Sequence, residues 1–306
     1  MADLEGLLAR TSRTFALSIP HLPEPTRQAV MLAYLLFRIA DTFEDAAQWP
    51  RSVRHEALST FHGWLTDPAL AETGRLPPGI AFAANAWADA GPTDHAGYLD
   101  LLRATEAVFA AAAALPAPHR ARVLYHAART TEGMRGFVDA STARGDLHLA
   151  DLDALKQYCY IVAGIVGELL TDLFLLDAPL AAAAETLQTH ARAFGEGLQL
   201  VNILKDADDD ARDGRVYLPP SVPRASILTL ARRDLTEAQT YVLALQGAGA
   251  PRGFVAFTAL PVLLARHTLD LLERDGAGAK LPRSEVVALA LALEARLDQA
   301  QAALTD

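Results

Sequence analysis

The feature that most constrains the fold is the helical spacing of apolar residues, which runs through nearly all of the 306-residue chain. Alanine and leucine are plentiful, whereas the alternating valine and isoleucine runs that favour strands are scarce. Proline and glycine interrupt the pattern. We predict helices near 25–46, 51–65, 94–113, 117–140, 151–177, 180–211, 224–245, 251–274 and 283–304. Short connections favour antiparallel neighbours, so the sequence predicts one all-α domain over residues 1–306.

Composition excludes several classes of protein. Apolar residues make up 51% of the chain and charged residues 21%, which supports a buried core and excludes disorder. The net charge of −10, without a basic stripe, argues against nucleic acid as a partner. The single cysteine, Cys159, excludes an intramolecular disulfide and indicates a reducing compartment. Because we see neither a signal-peptide pattern nor a long uncharged apolar run, we expect a cytoplasmic protein without a transmembrane segment, with peripheral membrane contact left open.

An acidic triplet lies in an otherwise apolar helical segment. Asp41, Glu44 and Asp45 are three and four residues apart, which places their side chains on one helix face. Tyr34 and Arg38 fall on the same face, and the opposite positions are apolar. Carboxylates in a segment of this kind require a cationic partner.

A second triplet repeats the arrangement. Asp206, Asp209 and Asp210 share a helix face with Asn202 and Gln199. A single acidic triplet is most often a solvated face, but clustering six like charges stabilises nothing unless a cation binds. Facing each other across a bundle, the two triplets would suit Mg²⁺, which can neutralise a diphosphate and make it a leaving group. The pair therefore indicates a metal–diphosphate site.

Five segments resemble the squalene/phytoene synthase family of head-to-head (1′-1) prenyltransferases. They occur in the family's order and spacing, at residues 11–16, 38–45, 158–167, 199–206 and 210–219. The resemblance implies an isoprenoid synthase fold, a single helical bundle around a central cavity. It also implies that two prenyl diphosphates react with Mg²⁺ to a cyclopropylcarbinyl diphosphate, which ionises again and rearranges to a 1-1′-linked hydrocarbon.

The resemblance also assigns site residues. The implied metal ligands are Asp41, Glu44, Asp45, Asn202, Asp206, Asp209 and Asp210. The implied substrate-binding residues are Ser12, Arg13, Thr14, Phe15, Tyr34, Arg38, Gln199, Asn202, Lys205 and Arg215. The implied catalytic residues are Asp41, Asp45, Asp206, Asp210 and Tyr158, a tyrosine expected to move a proton or stabilise a cation. Lys205 in place of Arg and Asp209 in place of Glu depart from the family's pattern but remove no charge.

The product depends on the reductant. Lys280 and Arg283 loosely match a Lys and an Arg that contact NADPH phosphates in squalene synthases, with one extra residue between them. We therefore expect a bacterial-type squalene synthase that condenses two farnesyl diphosphates with Mg²⁺ and NADPH. Two alternatives remain: a dehydrosqualene or phytoene synthase, which needs no reductant, and a non-catalytic relative acting as a binding or assembly factor. The latter would be expected to lose acids from the triplets, and all six are present.

Overall fold

Helices dominate the computed structural model, which describes residues 3–12 and 15–305. The helices α1 to α15 are, in chain order, Leu4–Thr11, Phe15–Ser18, Thr26–Glu44, Arg51–Thr66, Pro68–Thr73, Pro78–Asp89, Ala96–Arg103, Thr105–Ala113, Ala117–Ala140, Leu152–Cys159, Ile165–Asp177, Ala184–Arg212, Arg224–Gly247, Arg252–Asp275 and Arg283–Asp298. Short 3₁₀ turns occupy Ile19–His21 and Ala181–Ala183, and a π turn occupies Tyr160–Gly164. The strands β1 and β2 have two residues each, Leu147–His148 and Arg215–Val216. The predicted all-α class is confirmed.

The chain forms two compact units. The first contains Met1–Pro20 and Glu24–Leu147, and the second contains His21–Pro23 and His148–Asp306. The first acidic triplet belongs to the first unit and the second triplet to the second. The prediction of a single domain over residues 1–306 stays a prediction.

In the first unit, α3 is a core helix with one accessible strip. It packs against α4, α8 and α9, and Leu32, Leu36 and Ile39 on it are fully buried. Near its end, the ring of Phe43 lies 4.6 Å from the ring of Trp87, centroid to centroid. The accessible strip carries the polar residues of the predicted site, so the apolar packing behind it fixes where those residues lie.

In the second unit, α12 is held by backbone-to-backbone packing. A Cβ at Gly167 of α11 would lie 1.9 Å from the carbonyl oxygen of Ala191, and a Cβ at Gly195 would lie 1.9 Å from that of Ala163. Only glycine fits at such distances. These glycines therefore bring the segment around the π turn directly against the helix that carries the second triplet.

The predicted helices omit α1, α2, α5 and α6. Two of these begin at a proline: Pro68 opens α5, which Asp67 caps by accepting from the amide of Ala69 at 2.8 Å, and Pro78 opens α6. Aspartate before a helix and proline at its first position start helices as readily as they end them. The helix predicted at 94–113 is divided at Ala104 into α7 and α8.

Two apolar helical stretches meet the length and composition of a membrane span. They are Leu152–Asp177 and Arg252–Asp275, with mean hydropathy of 1.9 and 1.4 in their most apolar windows. Those windows are 56% and 50% buried inside the protein, and the core helices of soluble proteins have the same composition. The absence of a transmembrane segment stays a prediction.

A buried arginine holds the end of α3. Arg54 is 5% exposed; its Nη1 donates to the carbonyl of Glu44 at 2.8 Å, and its Nη2 donates to the carbonyl of Gly145. Gly145 has a φ of +101°, and a Cβ there would lie 1.5 Å from Arg54 Nη2. Arg54 thus joins the last turn of α3, whose carbonyls lack helical partners, to the turn that precedes β1.

We predict that Arg54→Met lowers the free energy of unfolding in urea by about 2–6 kcal/mol, because two carbonyls lose their donor at about 1–3 kcal/mol each. The control is Arg51→Met, since Arg51 is exposed and its Nη1 donates to the carbonyl of Ser141 at 3.0 Å. Arg51→Met should lower the free energy of unfolding by less than about 1 kcal/mol, as expected when an exposed interaction is removed. Equal losses in the two variants would contradict the role given to Arg54.

Candidate functional site

The first acidic triplet comes together at the last turn of α3. One carboxylate oxygen from each of Asp41, Glu44 and Asp45 lies within 4.8 Å of the others. Glu44 is 3% exposed, and the other two are partly exposed. Three carboxylates at this separation repel each other, and a divalent cation with oxygen ligands relieves that repulsion. The donor set fits Mg²⁺, and the roles of these residues as ligands stay a prediction.

Arg38 lies on the same strip of α3, against two tyrosine rings. It forms an ion pair with Asp41, and its Cζ lies 5.7 Å from the ring centroid of Tyr34 and 5.1 Å from that of Tyr98. Burial lowers the pKa of Arg38, but Asp41 and the two tyrosines more than offset this, so the pKa is raised and the guanidinium stays charged. The sequence analysis missed Tyr98, since a single tyrosine on another helix carries no motif.

The segment after α1 reaches the same strip. The ring of Phe15 lies 5.6 Å from the ring of Tyr34, and the Tyr34 hydroxyl donates to the carbonyl at the end of α1 at 2.6 Å. The Ser12 hydroxyl accepts from the amide of Phe15 at 2.9 Å. Arg13 and Thr14, which the resemblance assigned to diphosphate binding, lie outside the described residues. The structure thus brings Ser12, Phe15, Tyr34 and Arg38 together.

Two lysines lie beside the second acidic triplet. Lys205 Nζ lies 3.2 Å from a carboxylate oxygen of Asp206, and Lys280 Nζ lies 3.9 Å from oxygens of both Asp206 and Asp209. The amide of Gly278 donates to the carbonyl of Lys205 at 3.2 Å. The loop between α14 and α15 therefore contacts α12, and the ammonium of Lys280 approaches the acidic residues.

The surroundings of Asp210 in this triplet shift its pKa. Burial raises its pKa from 3.8 to about 6, Arg215 lowers it, and the neighbouring aspartates raise it further. Arg215 Nη2 lies 3.9 Å from Asp210 and 3.2 Å from Asp213. Asp210 therefore resists ionisation in the folded protein, and a bound cation would favour its charged form.

Two amides precede the second triplet on α12. The side-chain oxygen of Asn202 accepts from Lys205 Nζ at 3.2 Å, and the role of Asn202 as a metal ligand stays a prediction. Gln199 lies one turn earlier and is partly exposed. Arg283, the other half of the predicted NADPH pair, is the exposed first residue of α15. Binding of NADPH by Lys280 and Arg283 stays a prediction.

Tyr158 forms a buried pair with a second tyrosine. Tyr158 is 4% exposed, its hydroxyl donates to that of Tyr217 at 2.9 Å, and the ring centroids are 4.6 Å apart. Tyr217 follows β2, which is anchored by the amide of Leu149 donating to the carbonyl of Val216 at 3.0 Å. The sequence analysis did not single out Tyr217, although it lies inside the motif at 210–219. One strand thus positions both Arg215 and Tyr217.

A cavity of about 420 Å³ opens in the first unit beside the first turns of α3. Leu8, Ile19 and Met31 give it an apolar wall. Arg27 lines it too and forms an ion pair with Glu24 at 2.7 Å. The acidic triplet lies at the opposite end of α3, so this cavity is separate from it. The central cavity that the resemblance implies stays a prediction.

Comparison with known proteins identifies the family. Residues 8–226 match the squalene/phytoene synthase family. A squalene synthase of Mycosarcoma maydis is 29% identical over 222 residues, which cover 72% of this chain and 35% of that protein. The chloroplastic phytoene synthase 3 of Zea mays is 42% identical over 88 residues, which cover 29% of this chain and 19% of that protein. The chain spans less than half of the length of these curated relatives.

A solved structure confirms the fold. The structure of TcSQS in complex with the ligand E5700 aligns with a TM-score of 0.71 and 24% identity, and the alignment covers 97% of this chain and 87% of that one. The predicted isoprenoid synthase fold is therefore correct as a fold class. The matched stretch extends over more than half of the sequence and includes both acidic triplets. The chain belongs to the squalene/phytoene synthase family.

Proposed function

We propose that the protein is an Mg²⁺-dependent prenyltransferase that condenses two prenyl diphosphates head to head. The observation that carries this proposal is the complete first triplet, with carboxylate oxygens of Asp41, Glu44 and Asp45 within 4.8 Å of one another, in a family member. A non-catalytic binding or assembly factor would have no use for such a costly cluster, so this alternative is disfavoured.

The acids of the triplets would hold the metal through carboxylate oxygens. When bound, Mg²⁺ supplies the positive charge that lets a diphosphate depart. Arg38 adds a fixed positive charge beside the first triplet, and Lys205 and Arg215 add charge beside the second. These side chains are suited to binding and orienting diphosphate oxygens.

The Tyr158–Tyr217 pair would serve the hydrocarbon half of the reaction. Two hydrogen-bonded phenols in a buried position can pass a proton. Their ring faces can also stabilise a developing carbocation through the aromatic quadrupole. Burial excludes water, which would otherwise trap a cation.

For the product, we propose squalene, made from two farnesyl diphosphates with reduction by NADPH. The similarity to squalene synthases over most of the chain supports this choice. A dehydrosqualene or phytoene synthase is the second candidate. It is supported by the similarity to phytoene synthases and by Lys280, whose ion pairs with Asp206 and Asp209 suit a role beside the diphosphate.

We also propose that the protein acts in the cytoplasm, with at most peripheral contact with a membrane surface. The proposal is based on the single cysteine and on the apolar chains of the substrates. The net charge of −10 gives nucleic acid no role as a partner.

Product analysis tests the proposed function. Purified protein is incubated with Mg²⁺ and either farnesyl or geranylgeranyl diphosphate, with and without NADPH, and the hydrocarbon is identified by mass spectrometry. Squalene from farnesyl diphosphate only when NADPH is present is the expected result. A product indifferent to NADPH would exclude squalene synthase and support the second candidate. If no condensation product forms from either diphosphate, with or without NADPH, the proposal is wrong.

We predict that Asp41→Asn and Asp206→Asn each lower turnover at least about a hundredfold, because Mg²⁺ supplies several kcal/mol of charge stabilisation. Circular dichroism should show the same helical content as the wild type. Asp208→Asn is the matched control, since Asp208 lies on the same helix but is exposed and outside the triplet. Wild-type turnover in both triplet variants would refute metal binding by these acids.

The raised pKa of Asp210 predicts a pH-dependent stability. Because the pKa is about 6 in the folded protein against 3.8 ordinarily, folding favours the protonated acid. The contribution of Asp210 to stability is therefore complete below about pH 4 and is lost as the pH rises through about 6. In EDTA, Asp210→Asn should raise the Tm by a few degrees at pH 8 and change it little at pH 4. An unchanged Tm at pH 8 would contradict this.

We predict that Tyr158→Phe lowers turnover about tenfold or more, as is typical for the loss of a proton-transfer group. Binding of substrate should change little. Tyr241→Phe is the control, since the Tyr241 hydroxyl is also buried and hydrogen-bonded, to Thr171 at 2.9 Å. If both variants kept wild-type turnover, Tyr158 would be a packing residue only.

A further inference from the structure

A histidine, a tyrosine and an arginine stack in sequence beside the first triplet. The ring of His95 lies 4.0 Å from the ring of Tyr98, with 27° between the planes. The Cζ of Arg38 lies 5.1 Å from the centroid of the Tyr98 ring. His95 is also the N-cap of α7, because its Nδ1 accepts from the amide of Tyr98 at 3.3 Å. The position of the Tyr98 ring is thus set by the start of its own helix.

The charges of the first triplet also act on the phenol of Tyr98. Burial raises the pKa of the Tyr98 phenol, Arg38 lowers it, and the negative charges of Asp41 and Asp45 raise it. Tyr98 is partly exposed, and the neighbours that perturb it are charged. It differs in this from the fully buried aromatic residues of the same unit, such as Phe61 and Phe109.

The ion pair of Arg38 is shared with the predicted metal site. Its ion-pair partner, Asp41, belongs to the triplet that would bind a cation. Its Nε is buried, and no hydrogen-bond partner for it is found among residues 3–12 and 15–305. The contacts of Arg38 with the faces of Tyr34 and Tyr98 do not involve Asp41, so a cation bound at Asp41 would leave them in place.

We propose that Tyr98, stacked on His95, is a positioning residue that holds Arg38 beside the first acidic triplet, with its guanidinium donors available to a diphosphate. The inference rests on the proposed function, since it assumes that Arg38 binds diphosphate. Tyr98 acts through Arg38 and requires no contact of its own with the ligand.

Calorimetric titration with inorganic pyrophosphate in saturating Mg²⁺ tests this without turnover. Tyr98→Leu should weaken pyrophosphate binding roughly 3- to 30-fold, the range expected for loss of a cation–π contact. Tyr98→Phe keeps the ring and should restore affinity to within about twofold of the wild type. Tyr125→Leu is the matched control, since Arg129 Cζ lies 5.3 Å from the Tyr125 ring in the same unit, and it should bind as the wild type does.

A double-mutant cycle separates positioning from direct contact. In an Arg38→Met background, Tyr98→Leu should cause no further loss of affinity, because the residue it positions is gone. Additive losses would overturn the inference and make Tyr98 a ligand contact. Wild-type affinity in Tyr98→Leu would overturn it too.

Two further results complete the test. If Tyr98→Leu does not fold, His95→Ala is used instead. It removes both the stacked ring and the side-chain cap of α7, so it should weaken pyrophosphate binding about twofold or more, and unchanged affinity would overturn the inference. If the wild-type protein does not bind pyrophosphate with Mg²⁺ at all, the proposed function fails first, and the positioning role fails with it.

Discussion

Repulsion among clustered carboxylates is the interaction on which the rest of this structure depends. Each triplet has three acids on one helix face. In each unit, basic side chains of the same unit lie beside the acids and offset the resulting negative charge. In the first unit, Arg38 pairs with Asp41 and lies against two tyrosine rings. In the second unit, Lys205 and Lys280 approach the acids from their own helix and from the loop before α15. Such clusters gain stability when a divalent cation binds, which links the fold to the proposed chemistry.

The two helices that carry the triplets are held in place by different kinds of packing. On α3, the apolar side is buried, and Arg54 satisfies the carbonyl of Glu44 at the helix end. On α12, Gly195 and the facing Gly167 allow contact at backbone distance. Rigid placement matters for a metal site, because ligand atoms must be held within a fraction of an ångström of their working positions. Residues distant from the triplets thereby position the acids of the proposed metal site.

Much of the fold and part of the site could be predicted from sequence, for reasons that particular residues show. Asp41, Glu44 and Asp45 are close in sequence, so helical geometry alone brings them together. Tyr98 contacts Arg38 across some sixty residues, and no local pattern contains that pairing. Tertiary packing likewise brings Tyr217 to Tyr158 and Lys280 to the second triplet. The helices α5 and α6 were missed because each begins at a proline, a residue that opens helices as well as ending them.

The central claim is that both triplets bind divalent metal together with a diphosphate group. Titration with Mn²⁺ in the presence of inorganic pyrophosphate, followed by the electron paramagnetic resonance signal of free Mn²⁺, tests it most directly. We expect pyrophosphate to increase Mn²⁺ uptake by the wild-type protein and by Asp208→Asn. Asp41→Asn and Asp206→Asn should each lose part of that uptake. Uptake in both triplet variants equal to that of the wild type would contradict the account.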